Sequence, residues 1–251
     1  MSKKASSWLM AGALLLGATL PVVAQAATVT STKGSTDSQV EFTAPSNVTK
    51  PVDPTDPGTT VTDPDSGDNG GATVDGALTF LYVSPAINFG SHQTVTTGTQ
   101  SIQNDSTGTP VTVTSQKFGS TAANTNLVTE ISDTRGTNAG WNVQVSSSAL
   151  TLTGGSDTLK GAYVNLSAAD TSKNTIANSA STTGISGTDT QLSTDTANAA
   201  TIYTASTDNG AGSTAFQLSP DNISMTSIPA NVKSGTYTGE LTWTLNDTPT
   251  N

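Results

Sequence analysis

The chain has no cysteine, one histidine and three glutamates in 251 residues. Without thiols there are no disulfide staples, thiolate metal sites or cysteine nucleophiles, so a core must hold any fold together without covalent help. The single histidine, His92, excludes three-histidine zinc geometry and the HExxH pattern. It sits in the turn-forming run Gly90-Ser-His-Gln93 with no nucleophile elbow nearby, which reads as an exposed turn residue rather than the base of a triad. A glycosidase would need two carboxylates facing one cleft. Glu41, Glu130 and Glu240 are far apart in the chain, Glu240 has the context of a polar-face strand residue, and nothing in the pattern brings two acids together. No catalytic residue, metal ligand or cofactor site is therefore expected.

Charge is also sparse. Charged residues are 11% of the chain and aromatics 5%. What replaces them is serine and threonine, roughly 80 residues together, far above ordinary globular usage. Threonine favours strands, and Gly, Asn, Asp and Ser favour turns. The mixture predicts an all-β protein and excludes a coiled coil, a helical bundle and a nucleic-acid binder with a basic stripe. Scattered Val, Ile and Leu argue against disorder throughout. The formal charge is −10. Lys3 and Lys4 lie at the extreme N-terminus; without them seven bases face nineteen acids, a net −12 that repels nucleic acid and anionic lipid.

Residues 1–26 read as a secretory signal, with a basic start, an apolar run from Trp8 to Leu20 and small residues at Ala24 and Ala26. The run is well short of the ~20 residues that span a bilayer, so removal rather than anchoring is expected. No later segment is apolar enough to span, and no membrane insertion is expected once the signal is gone. Residues 27–49 form an N-terminal segment with a strand candidate at Ser38–Phe42, where Val40 and Phe42 share one face. Residues 50–75 are rich in Asp, Pro and Gly. Three Asp-Pro pairs block helix and ladder hydrogen bonds, which predicts an extended, solvated linker or long surface loop. Asp63 and Asp65 invite a calcium assignment, but the EF-hand pattern then requires ligands at Gly67 and Val74, and the motif fails.

Residues 76–251 alternate with period two between frequent turn signals, the mark of a β-sandwich of Ig-like type with many short, mostly antiparallel strands. Strand candidates are 77–83, 87–90, 110–114, 127–131, 141–145, 149–153, 162–166, 200–204, 214–218, 222–225 and 236–245. Residues 168–199 are rich in Ser, Thr, Asn and Asp with little apolar periodicity, and read as one long decorated loop.

Two tryptophans occupy similar strand contexts: Trp141-Asn-Val143, eight residues after Asp133, and Trp243-Thr-Leu245, after Tyr237-Thr-Gly-Glu240. With these motifs, and with the Asp-Pro stretch, Leu78–Ser84, Asn88-Phe-Gly90, Asp133-Thr-Arg-Gly136 and Leu159-Lys-Gly-Ala162, the chain resembles the WxL-domain cell-surface proteins of low-GC Gram-positive bacteria. The second motif matches in full. The first has valine where leucine is usual, which keeps its apolar character and strand face. The resemblance covers essentially the whole chain after the signal. It implies secretion, non-covalent attachment to the cell wall through peptidoglycan, and partnership with WxL-interacting surface proteins and other WxL proteins in multi-component complexes.

Trp and Leu two apart on a strand share a face. Trp141, Val143, Tyr237, Trp243 and Leu245 are thus either core residues or the lining of a groove that stacks on sugar rings. Tyr82, Tyr163 and Tyr203 are further aromatic candidates. The expected function is non-enzymatic wall binding at the bacterial surface. The rivals are an adhesion or assembly subunit whose main ligand is protein, and a wall-cleaving glycosidase.

Overall fold

Strands dominate the computed structural model, which describes residues 36, 38–61, 69–104, 109–119 and 122–249. The expected signal segment and the Asp63/Asp65 loop lie outside the described residues. The chain divides into two units, Met1–Phe42 and Thr43–Asn251. In the first, residues 38–42 form no strand, contrary to the strand expected there, and Val40 and Phe42 are exposed. A strand exists only through its ladder partners, and alternation alone supplies none.

The second unit contains three four-stranded antiparallel sheets. The first runs β11 (Asn174–Asn178), β15 (Gly212–Leu218), β7 (Leu127–Asp133), β3 (Leu78–Val83). The second runs β12 (Ile185–Gly187), β14 (Ala199–Ala205), β8 (Trp141–Ser147), β18 (Leu241–Asn246). The third runs β13 (Asp189–Ser193), β10 (Tyr163–Ser167), β16 (Ile223–Pro229), β5 (Thr99–Ile102). Among the described residues three short pairs complete it: β1 (Val52–Asp53) with β2 (Asp56–Thr60), β17 (Tyr237–Thr238) with β9 (Thr151–Leu152), and β4 (Ile87–Asn88) with β6 (Thr112–Val113). The inward rows of all three sheets share one core. Leu127, Ile131, Phe216 and Leu218 enter it from the first sheet, Trp141, Val143, Val145 and Tyr203 from the second, and Val164, Leu166, Leu192 and Ile223 from the third. This is the all-β sandwich expected from the sequence.

The reading of 168–199 as one long loop is corrected, because that stretch supplies β11, β12 and β13. Each is the edge strand of its sheet. Edge strands are half-solvated and need little apolar alternation, so their sequence resembles a loop.

The Asp-Pro stretch is also corrected. Its first half is a hairpin, β1 (Val52–Asp53) with β2 (Asp56–Thr60). Pro51, Val52, Pro54 and Pro57 are buried, while Asp56 is exposed and Asp53 half-buried. Alternation turns the proline rings down and the carboxylates up. A proline ring is apolar and has no N–H to satisfy, so a proline-rich hairpin can cover a sheet as well as cross solvent. The aspartates stabilise the turns: Asp53 Oδ1 accepts from Thr55 N–H at 2.8 Å, and Asp56 Oδ2 accepts from Thr59 Oγ1 at 2.9 Å.

What the hairpin covers is the outer face of the first sheet. Gln217 Nε2 donates to Pro54 O at 3.2 Å, and Val52 N–H donates to Glu130 Oε2 at 3.0 Å. A small second core of Val61, Tyr82, Phe118 and Val128 lies on the same face. The central strand β7 is consequently buried on both faces along its whole length.

Candidate functional site

The fold places the two tryptophan motifs side by side. Strands β8 and β18 are antiparallel neighbours, with Val143 opposite Leu245 and Val145 opposite Trp243. Residues directly opposite in a ladder share a face, so Trp141, Val143, Trp243 and Leu245 all point to the core side of one sheet. Their environments differ by strand position. Strand β8 is interior to its sheet and β18 is its edge.

Trp141 is completely buried, and so is Val143. The indole N–H of Trp141 donates to Gly210 O at 3.0 Å, and the ring meets Phe216 edge-on at 6.1 Å between centroids. Phe216 is stacked on its other neighbour, Tyr203, at 3.7 Å. Gly210 makes this seat possible. It lies at φ +80°, and a Cβ there would come within 2.6 Å of Trp141 Nε1 and 2.4 Å of Ala205 Cβ. The first motif therefore forms core and has no surface with which to touch a ligand.

Trp243 and Leu245 pack against the same core but remain half-exposed. Tyr237, on β17 opposite Leu152, is also half-buried, with its hydroxyl donating to Lys233 O at 3.3 Å. The structure thus brings Trp141, Val143, Trp243 and Leu245 together in one sheet and places Tyr237 in a separate two-stranded pair. Of the other aromatics, Tyr82 and Tyr203 are buried, while Tyr163 is half-exposed on β10.

The Asp133-Thr-Arg-Gly136 run closes one end of the paired strands. Arg135 forks onto Asp133 through Nε at 2.9 Å and Nη2 at 2.7 Å. It also donates to Gly140 O, one residue before Trp141, and to Asp247 O, one residue after β18. The Asp133 hydrogen bonds raise the guanidinium pKa further, so the fork is permanently charged. Asn142 donates to Thr248 O, and Asn246 Nδ2 donates to Asn142 Oδ1 at 3.0 Å. A polar clasp built on residues 133–142 thus holds the end of the last strand. In sequence these residues carried only the resemblance; their contacts span more than a hundred positions, and no local pattern reports that.

The scattered acids stay apart in role. Glu41 and Glu240 are exposed, while Glu130 is fully buried under the β1–β2 hairpin. Burial raises the Glu130 pKa from 4.5 to about 8; the Val52 N–H partly offsets this and the Asp53 charge adds to it. The other carboxylate oxygen, Oε1, has no hydrogen-bond partner. Alternation in Leu127–Ile131 pairs Glu130 with Val128 on one face, a local signal of an apolar environment. His92 is half-buried, with Nε2 at 2.6 Å from Phe89 O, rather than freely exposed.

Among the described residues this geometry offers aromatic and amide surface. The family model of the WxL domain, described as surface cell wall-binding, matches residues 29–249. The chain belongs to the WxL family. No curated protein and no solved structure matches it. In this WxL domain the first tryptophan motif forms the core, and the second lies on the edge strand of its sheet. The domain is a cell-surface, wall-binding one, and among its described residues no helix is long and apolar enough to cross a membrane.

Proposed function

We propose that the secreted chain attaches non-covalently to peptidoglycan, catalyses no reaction, and makes contact through the outer face of the third sheet. With Trp141 sealed in the core, a sugar-stacking aromatic has to come from elsewhere. Tyr163 supplies it at the centre of a polar ladder. Its strand neighbours in register are Ser193 and Thr226, and two residues on Asn165 lies between Gln191 and Ser224. Gln191 Nε2 donates to Asn165 Oδ1 at 3.1 Å, and Asn165 Nδ2 donates to Thr226 Oγ1 at 3.0 Å. This bonded row of amides and hydroxyls spans three strands beside one half-exposed ring, and it is the observation that carries the reading. Such a face suits a neutral glycan: C–H faces lie on the ring, and hydroxyl and acetamido groups meet the amides.

The test is sedimentation of the purified chain with protein-free peptidoglycan. Tyr163→Ala should lose wall binding and keep its melting temperature, because the ring is half-solvated. Unchanged binding by a folded Tyr163→Ala variant would move the contact to another face. Binding only in the presence of other surface proteins would favour the assembly-subunit reading, and release of soluble sugar would favour a glycosidase.

A further inference from the structure

Strand β18 is an unusual edge. Its six residues, Leu241-Thr-Trp-Thr-Leu-Asn246, carry no charge and no proline, and its register with β8 has no bulge. Proteins ordinarily blunt long edge strands with those devices because an open edge is a template for another strand. Which groups are open follows from the ladder. Ser148 N–H donates to Glu240 O, making positions 148 and 240 a hydrogen-bonded pair. Antiparallel pairs alternate, so residues 242, 244 and 246 bond β8, and the N–H and C=O groups of Leu241, Trp243 and Leu245 face outward. The side chains of those three residues are the half-exposed ones that touch the core. Among the described residues the edge thus combines unpaired backbone groups with an unfinished apolar row. Phe80 and Leu78, on the edge strand of the first sheet, are half-buried against the same core.

The chain also carries a segment of matching chemistry. Among the described residues Val40 and Phe42 are the large hydrophobic side chains left exposed, at 73% and 89%. They alternate with Glu41, so an extended segment would present an apolar face on one side and a carboxylate on the other. Its five residues, Ser38–Phe42, are about the length of β18. In the second unit Ala44 lies beside Gly136, and Thr134 Oγ1 donates to Asn47 Oδ1 at 2.9 Å.

We infer that residues 38–42 of one copy add as a strand to the β18 edge of a second copy, with Val40 and Phe42 completing the apolar row of Trp243 and Leu245. Main-chain hydrogen bonds to positions 241, 243 and 245 supply the pairing, and the two apolar side chains set the register. Donor and acceptor are different surfaces, so the contact is head-to-tail and open-ended and generates chains of subunits rather than closed dimers. The contact does not depend on the Tyr163 face.

Sedimentation velocity of the full secreted chain over a hundredfold concentration range is the test. The wild type should form a concentration-dependent ladder of oligomers. A Val40→Ser/Phe42→Ser variant should remain a monomer with an unchanged melting temperature, since both side chains are exposed. A synthetic peptide of residues 36–44 should dissolve the ladder and shift the emission of Trp243, a shift lost in Trp243→Phe and absent with the doubly substituted peptide. A wild type that is monomeric throughout, oligomers that persist in the double-serine variant, or a peptide without effect would each overturn the inference. Wall sedimentation of the double-serine variant should match wild type, so a failure here is distinct from a failure of the peptidoglycan reading.

Discussion

Glu130 makes the stability of this domain depend on pH in a direction opposite to that of most carboxylates. Its neutral form is favoured in the fold because the β1–β2 hairpin removes it from water, and one carboxylate oxygen has no partner there. The neighbours on its face give no countercharge: Asp53 of the hairpin is an acid, Tyr82 and Ala215 flank it in register, and Val52 offers only a backbone N–H. With the folded pKa near 8 against 4.5 when unfolded, the stabilisation is fully present below pH 4.5. It is lost as pH rises toward 8, at about 1.4 kcal/mol per pH unit. At pH 7 the loss is on the order of 3 kcal/mol, a large share of the 5–15 kcal/mol typical of domains. Asp170, Asp195 and Asp221 work in the other direction. Hydrogen bonds lower their pKa values, so what they contribute disappears as pH falls below the usual carboxylate range. Stability should therefore peak in mildly acid solution.

Glu130→Gln keeps the shape and an acceptor for Val52 N–H but cannot ionise. Urea melts of both proteins at pH 4, 5.5, 7 and 8.5 form the assay. The curves should coincide near pH 4 and diverge above it, with the variant more stable at pH 7 by on the order of 3 kcal/mol. Parallel pH profiles, or a variant less stable at pH 7, would mean that Glu130 is ionised and compensated in the fold, and the burial argument would fail.

Trp141→Ala should cost about 3–5 kcal/mol and unfold much of the population, whereas Trp243→Ala, on the edge, should cost clearly less and leave a folded domain by thermal melt. Tyr203→Phe removes a buried hydroxyl that has no partner, so it should be neutral or stabilise by about 1–2 kcal/mol in denaturant melts. Deleting residues 51–61 should lower the melting temperature sharply and raise protease sensitivity, because Tyr82, Phe118 and Val128 lose Val61 and the cover of the hairpin. Wall association should tighten from pH 7 to pH 4–5, and added salt should strengthen it at pH 7, because a −12 chain meets anionic wall polymers; a sedimentation isotherm insensitive to both would leave local contacts in control.

Most of the sandwich was legible because its interior strands must bury one face. Val143 and Val145, or Val164 and Leu166, announce strands by alternation. The strands that were not legible lie where burial demands less apolar surface, although Leu192 and Ile185 are buried from them. Strands β11, β12 and β13 are edges, and their Ser, Thr and Asn composition is what an edge tolerates. The Asp-Pro hairpin was hidden for another reason. Composition measures what a segment does to itself, and three Asp-Pro pairs do forbid a regular ladder there. What matters is the surface the segment meets, and β7 offers an apolar one that proline rings can cover. At the site, the likeness of the two tryptophan motifs was plain, but their inequality was not, since an interior strand and an edge strand can have the same local sequence.

That inequality explains how one motif can occur twice without redundancy. Trp141 is fixed by Gly210 and Phe216, both distant in the chain, and by the nearby Arg135 fork, so its loss would undo the packing between two sheets. Trp243 sits on the last strand, which is held by pairing with β8 on one side and by the clasp at Asp247 and Thr248 at one end. An element that pairs on one side only is the part of a sandwich most able to accept another strand at little cost to the rest. The core motif fixes where β18 lies, and the edge motif is left with free backbone and half-covered apolar surface. Placing both tryptophans in adjacent strands couples the two, because Leu245 and Trp243 lie directly opposite Val143 and Val145 on the core side of one ladder.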